Sequence, residues 1–108
     1  MRIIFSQNAW EDYISWQLED KNVLKKINDL IKDIQRTPFK GSGNPEPLKY
    51  DLAGYWSRRI DREHRLVYQV SGNEILIYSC RFHCSVVHNK NKYTKRAELR
   101  EALTGNCI

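Results

Sequence analysis

The feature that most constrains the fold is a change of hydrophobic period near Pro38. Between Asp20 and Pro38, apolar side chains recur at spacings of one, three and four residues, which predicts an amphipathic helix. Its apolar stripe consists of Val23, Leu24, Ile27, Leu30, Ile31 and Ile34. After Pro38 the apolar residues form short extended runs separated by turn signals, which predicts strands. The sequence therefore predicts helices first and a sheet afterwards.

The remaining elements follow from caps and turns. Met1 to Phe5 has the composition of a short strand, and Ser6 is a suitable N-cap for a first helix that runs through about Gln17. Residues 39–47 form a loop rich in Gly and Pro. Four further strands are predicted at Leu48 to Tyr50, Tyr55 to Ile60, Arg65 to Val70 and Glu74 to Phe82. The predicted fold class is α+β, with two N-terminal helices packed on one face of a twisted, mainly antiparallel β-sheet.

Length and composition limit the function classes. A chain of 108 residues is large enough for one domain and too small for two. No segment has the length of a membrane span or the apolar core of a signal peptide. The net charge of +5 and the pI of about 9.2 favour an anionic partner. Three cysteines without a Cys-x-x-Cys pair favour free thiols in a reducing compartment, so we expect a cytoplasmic protein.

The last 24 residues differ from the rest. Residues 85–108 carry part of the basic excess and break the strand pattern, which favours a frayed or disordered basic tail. We therefore predict a folded domain over residues 1–84 and an atypical C-terminal tail after it.

Polar residues of chemical interest cluster at the ends of the predicted strands. Glu46 lies between two prolines, which stiffen it in an extended conformation. In the last strand, Arg81 and His83 share one face, and a register with Val67 opposite Ile77 places Arg65 diagonally near Arg81. A carboxylate, a histidine and guanidinium groups can together cleave RNA without a metal.

Spacing alone leaves less specific interpretations open. Glu46 could be a loop residue paired with Lys49, and Arg58 with Arg59 could be a solvated face. A metal site of Cys80, His83 and Cys84 is disfavoured, because strand alternation places the histidine opposite both thiols. We predict no metal and no cofactor.

The motifs Gly-x-Pro-Glu-Pro-Leu-Lys, Trp-Ser-Arg-Arg-Ile and His-Arg-Leu-Val-Tyr, followed by Arg-Phe-His, occur in this order. In these motifs the chain closely resembles the YoeB toxins of the RelE/ParE superfamily, over roughly residues 1–83. The resemblance implies a RelE-like, microbial-ribonuclease-like fold. It also implies the toxin of a type II toxin–antitoxin system, a ribosome-dependent endoribonuclease that cleaves mRNA in the A site and so inhibits translation.

Carried over by position, Glu46 corresponds to the general base, His83 to the general acid and Arg65 to the cation that stabilises the transition state. Lys49 and Arg59 match positions that bind the phosphate. We also assign Arg58 and Arg81 to RNA binding. The implied reaction is attack of a 2′-hydroxyl on the adjacent phosphate, which leaves a 2′,3′-cyclic phosphate.

The partners implied by the resemblance are a YefM-like antitoxin, the ribosome and mRNA, a second copy in a homodimer, and operator DNA through the antitoxin complex. We expect no membrane partner. Two other functions stay open, namely a non-catalytic toxin that inhibits a target such as DNA gyrase by binding, and an inactive antitoxin-binding homologue.

The chain departs from the family after His83. The YoeB-like toxins usually end in His-Tyr, whereas Cys84 stands here and the chain continues. Because a thiol cannot stack on a base as a ring does, either cleavage is weakened or Tyr93 supplies a ring from the tail. The tail could equally block the site or add a contact to ribosomal RNA.

Overall fold

The structure, a computed structural model, describes residues 1–81 and contains two helices and a five-stranded sheet. The elements in chain order are β1 (Arg2–Phe5), α1 (Gln7–Glu19), α2 (Lys21–Arg36), β2 (Glu46–Pro47), a 3₁₀ turn (Tyr50–Leu52), β3 (Trp56–Arg59), β4 (Arg65–Ser71) and β5 (Glu74–Ser79). The strand order across the sheet is β1-β5-β4-β3-β2. β1 pairs with β5 in parallel, and the other pairs are antiparallel. The predicted α+β architecture is confirmed.

Side-chain caps define where both helices begin. The Ser6 hydroxyl accepts a hydrogen bond from the backbone N–H of Ala9 at 3.0 Å, which satisfies an N–H that has no partner within the helix. The Asp20 carboxylate caps α2 in the same way, through the backbone N–H groups of Asn22 and Val23. α2 ends at Arg36, two residues before Pro38, as a proline at that position requires. Neither helix is long and apolar enough to cross a membrane.

The main core lies between the helices and one face of the sheet. The apolar stripe of α2 packs there against Leu66, Tyr68, Ile75 and Ile77, which are fully buried. Each fully buried aliphatic side chain contributes about 1.5–3 kcal/mol, so this layer holds the sheet rigid. A smaller cluster of Leu48, Leu52 and Val67 occupies the opposite face, which we call the far face.

The structure corrects two sequence predictions. Leu48 to Tyr50 is not a strand: pairing is confined to Glu46–Pro47, within the predicted loop, and Tyr50 begins the 3₁₀ turn. The β4–β5 register also differs, because Tyr68 lies opposite Ile77 and Val67 lies opposite Ser79. One extra residue of β5 therefore stands between these pairs as a β-bulge, and an apolar pattern does not reveal such an irregularity.

Candidate active site

Three polar side chains from three consecutive strands meet on the far face. Nη1 of Arg65 lies 3.5 Å from Oε2 of Glu46 and donates a hydrogen bond to the Ser57 hydroxyl at 3.1 Å. Arg65 and Ser57 are buried, whereas the Glu46 side chain is 33% exposed. The carboxylate therefore faces solvent with a buried cation behind it.

Strand register explains why these residues meet. Glu46 lies opposite Ser57, Ser57 lies opposite Val67, and Arg59 lies opposite Arg65. Side chains at positions i and i+2 of a strand share one face, so Ser57 with Arg59, and Arg65 with Val67, lie on the same side as Glu46. The sheet thus brings the predicted general base and the predicted stabilising cation together.

Burial sets the electrostatics of Arg65. Desolvation lowers the pKa of the Arg65 guanidinium, the Glu46 carboxylate raises it, and the positive charge of Arg59 lowers it. An arginine stays charged through such changes. Burial therefore disfavours the charged form of this guanidinium, and the Glu46 carboxylate offsets part of that cost.

Asn44 is a site residue that the sequence analysis missed. Its amide Nδ2 donates a hydrogen bond to Oε1 of Glu46 at 3.0 Å, on the oxygen that does not face Arg65. The backbone of Asn44 has a φ of 53°, a left-handed conformation that asparagine tolerates better than most residues. Both carboxylate oxygens of Glu46 are therefore held in place. The Asn-Pro dipeptide indicated only a turn.

Arg58 is not a phosphate ligand, and the prediction that it binds RNA is wrong. Alternation turns it toward the helices, where its side chain is fully buried. Its guanidinium donates to Asp33 at 2.5 Å and to the backbone carbonyl groups of Thr37, Lys40 and Ser42. Arg58 therefore clamps the loop between α2 and β2, which leads directly to Glu46.

The clamp includes two further side chains. Hydrogen bonds from Arg36, the backbone N–H of Ser42 and Arg58 lower the pKa of Asp33 to about 2. Burial raises the pKa of the Tyr68 hydroxyl, which donates a hydrogen bond to the carbonyl oxygen of Pro38 at 2.7 Å. The loop before Glu46 is thus tied to both α2 and β4.

Lys49 and Arg59 are exposed residues, and Lys49 follows Glu46 by three positions in the chain. Arg59 lies opposite Arg65 in the sheet, and its backbone N–H bonds the carbonyl oxygen of Gly43 at 2.6 Å. Lys49 immediately precedes the 3₁₀ turn. Both are solvent-accessible cations, as the predicted contact with phosphate requires.

Arg81 does not join this group. Its guanidinium lies over the ring of Trp16, 4.0 Å from the ring centroid, and pairs with Glu19 of α1. The predicted diagonal approach of Arg81 to Arg65 assumed a regular strand, which ends at Ser79. His64 likewise packs edge-on against Trp16. His83 and Cys84, the predicted general acid and the departure from the family pattern, lie outside the described residues, as does the tail.

Comparisons with known proteins agree with the resemblance in the motifs. The profile of the YoeB-like toxins of bacterial type II toxin–antitoxin systems matches residues 5–84. Toxin YoeB of Escherichia coli K12 is 58% identical over 83 residues, which cover 77% of this chain and 99% of the relative.

Solved structures give the same result. The YoeB/ParE toxin from Agrobacterium tumefaciens superposes with a TM-score of 0.75 at 53% identity, covering 77% of this chain and 99% of that one. YoeB from Staphylococcus aureus, seen as a dimer and in a heterotetrameric complex with YefM, superposes with a TM-score of 0.73 at 52% identity, covering 77% and 97%. The RelE-like fold is thereby confirmed, and the chain belongs to the YoeB-like toxins of bacterial type II toxin–antitoxin systems.

Proposed function

We propose that this chain is a ribosome-dependent endoribonuclease that cleaves mRNA in the A site without a metal and so inhibits translation. The observation that carries the proposal is the contact of Glu46 with Arg65 on the far face, at 3.5 Å. A solvent-facing carboxylate can accept the proton of a 2′-hydroxyl, which then attacks the neighbouring phosphate. Membership of the toxin family supports the same reaction.

The ion pair offers a means of coupling proton transfer to charge stabilisation. When Glu46 takes the proton it becomes neutral, and the positive charge of Arg65 is no longer balanced. At that moment negative charge builds up on the pentavalent phosphorus. Preorganised charge of this kind typically contributes about 3–4 kcal/mol to transition-state stabilisation. In the resting site the carboxylate of Glu46 thus balances the charge of Arg65, and in the transition state that charge is free to stabilise the phosphate.

The other roles are carried over from the family motifs. Lys49 and Arg59 hold the phosphate from the exposed side, and His83 returns a proton to the leaving 5′-oxygen. The products are a 2′,3′-cyclic phosphate and a free 5′-hydroxyl. The ribosome supplies the geometry by fixing the codon next to Glu46.

We further propose cytoplasmic partners of the kind found for the relatives. A YefM-like antitoxin masks the site, as a YefM complex is known for the Staphylococcus aureus protein. A homodimer is the second assembly, and operator DNA is reached through the antitoxin complex.

The test is cleavage of mRNA on programmed ribosomes with end mapping of the products. Glu46→Gln keeps the shape of the carboxylate and removes its basicity, so the rate should fall by about 10²–10⁴-fold. His83→Ala should cause a loss of similar size. Glu11→Gln, at an exposed position of α1, is the matched control and should cleave like the parent chain.

Contrary outcomes point to the alternatives. Unchanged cleavage by Glu46→Gln contradicts the mechanism. A chain that does not cleave but blocks DNA gyrase supercoiling is a binding toxin. A chain with neither activity, and without growth arrest on expression, is an inactive antitoxin-binding homologue.

A further inference from the structure

Tyr50 combines two features that rarely occur together in an aromatic residue. Its side chain is 80% exposed, and its backbone has a φ of +58°. The left-handed conformation costs free energy in any residue with a β-carbon, and such strain concentrates at functional sites. Neither the core nor the turn requires a tyrosine here, because glycine adopts the same backbone without strain.

The backbone of Tyr50 is nevertheless firmly held. The N–H of Leu52 donates to the carbonyl oxygen of Lys49 at 3.1 Å, and the N–H of Ala53 donates to that of Tyr50 at 3.0 Å. Leu48 and Leu52, two residues before and two after, are buried in the far-face cluster. The backbone that carries the Tyr50 ring is therefore fixed in place.

Chain connectivity limits how far the 3₁₀ turn can lie from the candidate active site. Leu48 follows Glu46 by two residues, and the N–H of Leu48 bonds the carbonyl oxygen of Tyr55 at 2.9 Å, which continues the β2–β3 pairing toward the turn. Four residues of chain separate the Cα atoms of Glu46 and Tyr50 by at most about 13–14 Å. The Cα atom of Tyr50 thus lies within about 14 Å of that of Glu46, and Tyr50 directly follows the exposed cation Lys49.

Other exposed aromatic residues have packing roles. The ring of Phe39 lies 4.8 Å from that of Trp56, and Trp10 stacks on Tyr13 at 6.0 Å. Within residues 1–81, the ring of Tyr50 has no such aromatic contact and its hydroxyl makes no hydrogen bond to another residue. Packing therefore explains the other rings and leaves this one available to a ligand.

We propose that Tyr50 is a stacking platform for a nucleobase of the mRNA bound at this site. Every base has an aromatic face, so a fixed and exposed ring binds bases with little regard to sequence, while a neighbouring lysine holds the phosphate. This inference rests on the proposed function, because the RNA must reach Glu46 for its neighbouring base to reach Tyr50.

The test measures binding rather than cleavage. The full chain is bound to ribosomes whose A-site codon carries a 2′-deoxy sugar at the cleaved position, so that no attack can occur. Tyr50→Phe keeps the ring and should bind within about twofold. Tyr50→Gly should bind roughly 5- to 150-fold more weakly, the usual range for loss of one base stack. Phe39→Leu, at an aromatic residue that packs on Trp56, is the control and should bind like the parent chain.

Stability separates a ligand role from a structural one. Tyr50→Gly relieves the left-handed strain, so its melting temperature should equal or exceed that of the parent chain while its affinity falls. If Tyr50 were needed only for folding, its replacement could not raise the melting temperature and lower the affinity for ribosomes at the same time. A lower melting temperature with unchanged affinity overturns the proposal.

The stacked base is identified by a double-mutant cycle. Replacing A-site nucleotides one at a time by abasic ones should weaken the parent chain at one position, and that same position should have no further effect on Tyr50→Gly. Additive losses at every position overturn the inference, since the ring then contacts something other than an mRNA base. A chain that cleaves ordinary mRNA yet binds independently of Tyr50 overturns this inference alone. A chain that neither binds nor cleaves overturns the proposed function as well.

Discussion

Nη1 of Arg65 is shared between the carboxylate of Glu46, at 3.5 Å, and the hydroxyl of Ser57, at 3.1 Å. The hydroxyl oxygen fixes the direction of the guanidinium, because it accepts a hydrogen bond from within the sheet. The carboxylate is the contact that substrate chemistry can change. Nη1 of Arg65 thus makes a structural contact with Ser57 that stays in place and a contact with Glu46 that changes during the reaction.

The first prediction concerns that permanent contact. Ser57→Ala removes the acceptor and should slow cleavage about 10- to 150-fold, since a hydrogen bond to a charged group is worth about 1.5–3 kcal/mol. Single-turnover cleavage on programmed ribosomes measures the effect. Ser79→Ala is the matched control: this serine is equally buried, but its hydroxyl has no hydrogen-bond partner among residues 1–81. Equal losses in both variants would contradict a specific role for Ser57.

The second prediction concerns Asn44. Asn44→Gly keeps the left-handed backbone and removes the donor to Glu46, so the maximal cleavage rate should fall several-fold while the half-saturating ribosome concentration stays constant. Asn44→Ala should lose the same rate and also about 1–2 kcal/mol of stability, because it introduces strain at a φ of 53°. Thermal unfolding distinguishes the two. A glycine variant with the full rate rules out a positioning role.

The third prediction contrasts two adjacent arginines. Arg58→Ala removes a fully buried guanidinium and should lower the free energy of unfolding by about 3 kcal/mol or more, because three backbone carbonyl groups lose their donor. Arg59→Ala, at an exposed position, should change stability by less than about 0.5 kcal/mol and slow cleavage about 10- to 100-fold. Denaturant unfolding and cleavage assays on both variants provide the measurement. The reverse pattern would mean that the two faces of β3 are misassigned.

The fourth prediction is a pH dependence. The pKa of Asp33 is lowered from 3.8 to about 2, so its ionised form is favoured in the folded state. Its contribution to stability is therefore fully present above about pH 4 and is lost as the pH falls through about 2. The difference in unfolding free energy between the parent chain and Asp33→Asn should be constant from pH 7 to 5 and shrink below pH 4. A difference that stays constant to pH 2 contradicts the assignment.

The fifth prediction concerns Cys80. Burial raises the pKa of the Cys80 thiol to about 12, against a smaller lowering by Arg81. Because the thiolate is the reactive form, iodoacetamide at pH 8 should leave Cys80 unmodified in the folded protein and modify it fully in guanidinium chloride. Mass spectrometry of the tryptic peptide 66–81 reads this cysteine alone. Rapid labelling under native conditions would show that the segment opens.

Periodicity predicted the architecture well, because the elements of this chain bury large apolar stripes. The apolar stripe predicted α2, and the extended runs after Pro38 predicted β3, β4 and β5, whereas the contact of Glu46 with Arg65 was not predicted from alternation. The roles of these two residues came from the motifs, since a carboxylate next to an arginine also suits a simple ion pair.

The sequence predictions that were wrong share a physical cause, namely features decided by single contacts. Arg58 was misassigned because an arginine in a strand gives no sign of its face until the register is known. The bulge opposite Val67 and Tyr68 and the stacking of Arg81 on Trp16 depend on local packing. Asn44 was missed because its contact with Glu46 requires a left-handed backbone that a composition pattern does not encode.

The parallel pairing of β1 with β5 has a consequence for biosynthesis. β1 precedes the other four described strands in the chain, and it hydrogen-bonds β5, with Arg2 opposite Glu74 and Phe5 opposite Ile77. The strands that carry Glu46, Ser57 and Arg65 pair with near neighbours in sequence, so their contacts can form early, whereas closing the sheet requires a contact between distant segments. The nascent chain therefore keeps an incomplete sheet until residues 74–79 have left the exit tunnel.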